Sequence, residues 1–151
     1  MASQSQKTEA QLRIELAAAY RLIDHWGLNE VVYNHISVRL PGDPPQFLIN
    51  PFGLLYHEIT ASNLAKIDLE GQLTDPAQEK AGVKVNPAGF IIHSAIHEKR
   101  DDAQCIVHTH TEAGIAVASL RPGFVPYGQE SMRFYNRVAY HEFNGIVLDP
   151  K

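Results

Sequence analysis

Leu12, Leu16, Ala19, Tyr20 and Ile23 recur at steps of three and four residues, which places them on one stripe of a helix. The stripe predicts a helix from about Thr8 with Gly27 as its C-terminal stop, and leaves residues 1–7 as a disordered tail. The period then shortens to two. Ile36-Ser37-Val38-Arg39-Leu40 alternates like a half-buried strand, Pro41-Gly42-Asp43-Pro44-Pro45 reverses the chain, and Phe47-Leu48-Ile49 returns as a hairpin partner. A Pro/Gly loop over 50–57, one helical turn over 60–64 and a short strand over 66–69 follow, the strand ending at Glu70-Gly71. Residues 74–85 are polar and contain glycine, so an exposed loop is expected. Asn86-Pro87 couples a capping side chain to proline at the first helical position, predicting a helix to about Lys99. Gln104–Thr109 reads as a buried strand, and Thr111-Glu112 opens a helix through about Leu120. Val138-Ala139-Tyr140 and Gly145-Ile146-Val147-Leu148 read as two further strands. Helices interleaved with strands and hairpins predict an α/β domain over residues 8–151, a sheet covered by helices. The sequence stops straight after an apolar strand, so the C-terminal part of the domain is expected to be missing.

Composition narrows the class without choosing a function. At 151 residues the chain is the size of one domain and can bury a real core. No apolar run is long enough for a bilayer, and the polar N-terminus has no signal-peptide core, so a cytoplasmic address and no membrane partner are expected. A net charge of −4 without any basic run argues against nucleic acid. The single cysteine, Cys105, excludes an internal disulfide, and its apolar neighbours Ile106 and Val107 predict a buried, inert thiol. The unusual feature is the set of eight histidines, because imidazole is the commonest metal ligand.

Placement singles out two of them. In Cys105-Ile106-Val107-His108-Thr109-His110, strand alternation points His108 and His110 the same way. Their backbones would stand roughly 6–7 Å apart, which lets both rings converge on one divalent ion. A strand that feeds a helix also delivers its last residues to the carboxyl edge of the sheet, where ligand sites gather. The competing reading is two hydrogen-bonded histidines at a strand end. A zinc or iron site further needs a third protein ligand. His141, after the triplet Val138-Ala139-Tyr140, is one candidate. His93 and His97 share a helix face and could chelate, although packing or surface roles are commoner for that spacing. His97-Glu98 does not form His-Glu-x-x-His, which removes the metalloprotease reading. His25 and His57 read as structural or solvated. No phosphate loop, Gly-x-Gly-x-x-Gly or Gly-x-Ser-x-Gly occurs, so nucleotide binding and serine-hydrolase chemistry have no support.

Longer motifs add a resemblance. Tyr33-Asn34-His35-Ile36-Ser37-Val38-Arg39, Asn50-Pro51-Phe52-Gly53-Leu54-Leu55-Tyr56, the stretch from Ile59 to Leu69, Asn86-Pro87-Ala88-Gly89-Phe90 with His93-Ser94-Ala95-Ile96-His97, Cys105 to Thr111, and Val138 to His141 occur in this order. In that order they resemble the class II aldolase/adducin family, nearer the adducin head domain and its bacterial relatives than the sugar-phosphate aldolases. The resemblance covers roughly residues 10–150. It implies an αβα fold around a largely antiparallel sheet, and a homo-oligomer, commonly a tetramer, with sites between subunits. It also implies a divalent metal on His108 and His110, zinc first with Fe(II) or Mn as alternatives. The third histidine would lie beyond Lys151. Asn34, His35 and Gly53 fall in the substrate-binding turns, and the substrate would be a small molecule.

The departures matter as much. The family's acid/base glutamate falls at Gly89, and positions of its phosphate-binding turns carry His35 and Phe52, so phosphorylated sugars look like poor substrates. No catalytic residue can be named. Three readings stay open: a metal-dependent lyase that stabilises an enediolate, a non-catalytic adducin-like assembly domain, and a histidine-ligated iron(II) oxygenase. Gly89 suits the last mildly, because an oxygenase needs open coordination positions rather than a carboxylate.

Overall fold

The computed structural model describes residues 7–142 and 145. Helix α1 (Glu9–His25) begins in a reciprocal cap: Thr8 Oγ1 accepts from the Gln11 N–H while Gln11 Oε1 accepts from the Thr8 N–H. Strands β1 (His35–Arg39), β2 (Phe47–Ile49), β3 (Ala65–Ile67) and β4 (Cys105–His108) form one antiparallel sheet in the order β3-β2-β1-β4. Helices α2 (Pro76–Lys80), α3 (Pro87–Lys99) and α4 (Glu112–Ser119) complete the regular structure, with single 3-10 turns at Tyr56–Glu58 and Ser131–Phe134.

Alternation along β1 builds the layers. Ile36 and Val38 point to one face and pack with Leu16 and Tyr20 of α1, with Leu48, Ile59 and Leu64. His35 and Ser37 point to the other face, toward His93 and His97 of α3. On that second face Phe47, Ile49, Ala65 and Ile67 gather Val83, Val85 and Phe90 around them. The sheet is thus sandwiched between α1 and α3, the αβα arrangement around an antiparallel sheet that the family resemblance implies. Tyr20 ties α1 to the sheet: its buried hydroxyl donates to the Ile36 carbonyl (2.5 Å) and accepts the Ile36 and Asn50 N–H groups (2.9 and 3.0 Å).

Three local expectations are corrected. Residues 74–85 are not all loop: Asp75 Oδ1 caps the Ala77 N–H and Pro76 occupies the first turn of α2, whose Gln78 side chain donates to the Leu64 carbonyl just before β3 and accepts the Lys66 N–H within it. β4 is not the buried strand expected: its positions alternate between exposed and half-buried, and Cys105 is exposed, because among the described residues β4 pairs with β1 alone and lies at the sheet edge, where Cys105 borders an open cavity beside Leu12 and Glu15 of α1. Burial of its flank against the sheet nonetheless pushes the Cys105 thiol up. Val138-Ala139-Tyr140 is not a strand but exposed chain. The second predicted strand, 145–148, lies outside the described residues apart from Gly145. Among the described residues no helix is long and apolar enough to cross a membrane.

Candidate metal centre

The pairing of β4 with β1 sets the site. In the antiparallel register His108 stands directly across from His35, and Ile106 across from Ser37, so all four share the α3 face. His110 lies just past the end of β4, before α4, whose first turn Thr111 caps by accepting from the Gly114 N–H. Its ring turns back on that of His108, with centroids 4.7 Å apart and the two Nε2 atoms 3.2 Å apart.

Each ring is held from behind at Nδ1. Glu30 Oε2 lies 2.5 Å from His110 Nδ1, and His35 Nε2 lies 3.1 Å from His108 Nδ1. Both rings thus turn their Nε2 atoms toward each other. Two nitrogens bound tetrahedrally to one ion at 2.0–2.1 Å sit about 3.3–3.4 Å apart, so the 3.2 Å separation fits a shared divalent cation. A carboxylate behind the ring, as Glu30 stands behind His110, is what orients metal-binding histidines elsewhere. Burial, and then the charge of His110, lowers the His108 pKa and keeps its ring in the neutral form a metal requires.

An open cavity of about 760 Å³ lies in front of the pair, lined by both histidines, Thr109, Ile115, Ser119 and His141. His141 thus shares a cavity wall with His108 and His110, and its Nδ1 donates to the Glu142 carbonyl at 2.6 Å. It is not close enough to complete the set: among the described residues no three His, Cys, Asp or Glu side chains gather tightly enough to share an ion.

The other sequence candidates separate. Asn34 is fully buried and closes a turn, its Oδ1 accepting the Glu30 N–H, so it braces the segment that carries Glu30. Gly53 (φ +96°) belongs to a turn whose neighbours Pro51, Phe52 and Leu54 line a different cavity. His35 lies at the centre of the histidines. Gly89 explains itself here: a Cβ at that position would come within 2.7 Å of His35 Cδ2 and 2.9 Å of His35 Nε2. The His35 ring fills the space into which a residue-89 side chain would project, so histidine at 35 and a large residue at 89 exclude each other. His93 and His97, which helix spacing marks only as a same-face pair, are both buried and joined to this group. Burial first, then neighbouring His35, His97 and His108, pushes His93 down to about 2. Burial first, then Arg39, pushes His97 down to about 4.

Sheet, covering helices and a convergent histidine pair at a strand end agree with the class that the sequence motifs resemble. The model of the class II aldolase and adducin N-terminal domain matches residues 14–148, and the chain belongs to that family. It is 48% identical over 143 residues to alpha-adducin of Rattus norvegicus, covering 95% of this chain and 19% of that protein. It is similar to the crystal structure of an aldolase II superfamily protein from Pseudomonas syringae, with 47% identity and a TM-score of 0.88, covering 97% of this chain and 57% of the other. An L-fuculose 1-phosphate aldolase from Glaciozyma antarctica superimposes with a TM-score of 0.78 at 38% identity, over 85% of this chain and 51% of its own. The chain thus spans little more than half the length of these solved relatives.

Proposed function

We propose that this domain is a metal-dependent, class II aldolase-like lyase for a small hydroxy or keto compound, with a divalent ion, zinc first, held by His108 and His110. The observation that carries the reading is the convergence of two Nε2 atoms at 3.2 Å, each ring fixed from behind at Nδ1. Likeness to a fuculose-phosphate aldolase and to an aldolase II superfamily protein supports the reaction class. The ion, when bound, polarises a substrate oxygen and lowers the cost of charge developing on an enediolate. The chain's own residues favour the neutral form of His108, brace both rings at Nδ1 and present them to a cavity of about 760 Å³. Position 89 offers no carboxylate, so a proton has to be moved by another group, and this disfavours substrates that need the family's glutamate. Exposed Val107, Ile115, Leu120, Tyr127, Phe134 and Tyr140 support a homo-oligomer, a tetramer by resemblance, with the cavity near subunit interfaces.

Elemental analysis of the purified protein tests this. One zinc, manganese or iron per chain, lost in His108→Ala and His110→Ala, is expected; a metal-free protein, or a His108→Ala variant with unchanged activity, removes the reading. The alpha-adducin likeness favours a second reading, an assembly domain without chemistry, which predicts an oligomer indifferent to metal. Oxygen uptake that depends on ferrous iron would instead move the site to the oxygenase class.

A further inference from the structure

Behind His108 the hydrogen bonds continue without a gap. His108 Nδ1 meets His35 Nε2 at 3.1 Å, and His35 Nδ1 meets His93 Nε2 at 2.8 Å. His93 Nδ1 meets Ser37 Oγ at 2.6 Å, Ser37 Oγ meets His97 Nε2 at 2.8 Å, and His97 Nδ1 meets the Ala103 carbonyl at 3.1 Å. His35, Ser37, His93 and His97 are all buried, and among the described residues no carboxylate touches any of them by a hydrogen bond.

A neutral imidazole has one N–H and one bare nitrogen, a hydroxyl has one hydrogen, and a carbonyl oxygen can only accept. These rules, applied from the carbonyl end, leave a single solution. The Ala103 oxygen requires His97 Nδ1–H, so His97 Nε2 is bare and takes the Ser37 hydroxyl hydrogen. Ser37 Oγ then accepts from His93 Nδ1–H, and bare His93 Nε2 accepts from His35 Nδ1–H. Bare His35 Nε2 accepts from His108 Nδ1–H, which leaves His108 Nε2 bare at the cavity. The reverse direction fails, since it would aim a bare His97 nitrogen at a carbonyl oxygen.

We propose that His35, His93, Ser37 and His97 are positioning residues that transmit the polarity of the Ala103 carbonyl to His108 and lock its Nε2 as a lone pair facing the cavity. The use of that lone pair as a ligand rests on the proposed metal reading; the tautomer pattern does not. Glu30, an acceptor, fixes Nδ1–H on His110 in one step. The bare Nε2 of His108 stands 3.2 Å from His110 Nε2, and two lone pairs cannot face each other there, so a proton on His110 Nε2 or a cation between the two nitrogens has to fill that contact.

Long-range 1H–15N spectra of the metal-free protein, labelled at histidine, read each tautomer directly. The expected result is Nδ1–H with bare Nε2 at His35, His93, His97 and His108, opposite to the form imidazole prefers in water. A protonated Nε2 with a bare Nδ1 at any of the four overturns the proposal. Ser37→Ala cuts the line; it is expected to release His93 from its fixed tautomer and weaken zinc binding about 10- to 100-fold, with Ser37→Thr restoring both. If His108→Ala abolishes zinc binding while Ser37→Ala alters neither tautomer nor affinity, the positioning role is wrong and the metal reading stands. If the tautomers are as stated but the wild-type protein binds no zinc, the directed line stands and the metal reading falls.

Discussion

Acidification gives the sharpest test of the buried histidines. His93 and His97 are 0% and 1% exposed, and their pKa values are pushed down to about 2 and about 4, whereas a histidine in an unfolded chain titrates near 6.5. Between those limits the unfolded chain takes up protons that the folded one refuses. Their contribution to stability is therefore fully present above about pH 6.5 and is lost as pH falls below it. Each group costs about 1.4 kcal/mol per pH unit, so the pair removes about 4 kcal/mol by pH 5, a large share of a typical stability of about 5–15 kcal/mol. The loss from His97 levels off near pH 4, where the folded form also protonates. His35, pushed down to about 4 by burial and then by His108 and His110, steepens the loss. Urea unfolding followed by circular dichroism at pH 7, 6 and 5 checks this, with the midpoint expected to fall steadily. His97→Gln removes one titrating group and should flatten the slope. A midpoint that is level or rising from pH 7 to 5 would refute the claim that these imidazoles are neutral and dry.

Other expectations follow from the same geometry. Gly89→Ala places a methyl group 2.7 Å from His35 Cδ2 and should cost about 1–3 kcal/mol in thermal unfolding, while adding His35→Asn should recover part of it; a neutral single variant would contradict the packing. Glu30→Gln weakens the acceptor behind His110 and should lower zinc affinity by about 10- to 100-fold in calorimetry, with little change in melting temperature because the pair is exposed.

Legibility followed range. The α1 stripe, the β1–β2 hairpin and the Asn86-Pro87 start of α3 are written in residues a few positions apart, and each is where the local pattern puts it. Helix α2 carries the same signature in Asp75-Pro76, but polar composition around it masks the cap. Cys105 looks buried because its neighbours in sequence are apolar; its exposure follows from β4 lying at the sheet edge among the described residues, which no local pattern records. The convergence of His108 and His110 is visible as period two. The link from His35 to His93 spans 58 residues and is not. A signal did exist: His35 and Ser37 alternate with Ile36 and Val38, marking a strand with one polar buried face, and His93 and His97 mark a helix face able to meet it. Gly89 reads from sequence as a lost carboxylate, whereas its structural reason is the ring of His35.

Metal binding by this domain depends on the 3.2 Å gap between His108 Nε2 and His110 Nε2. Crystals grown with zinc and measured on both sides of the zinc absorption edge address it directly. The predicted result is an anomalous peak about 2.0–2.1 Å from both His108 Nε2 and His110 Nε2, with Glu30 and His35 still behind the rings. A peak elsewhere, or no peak while the two rings stay in direct contact, would contradict it.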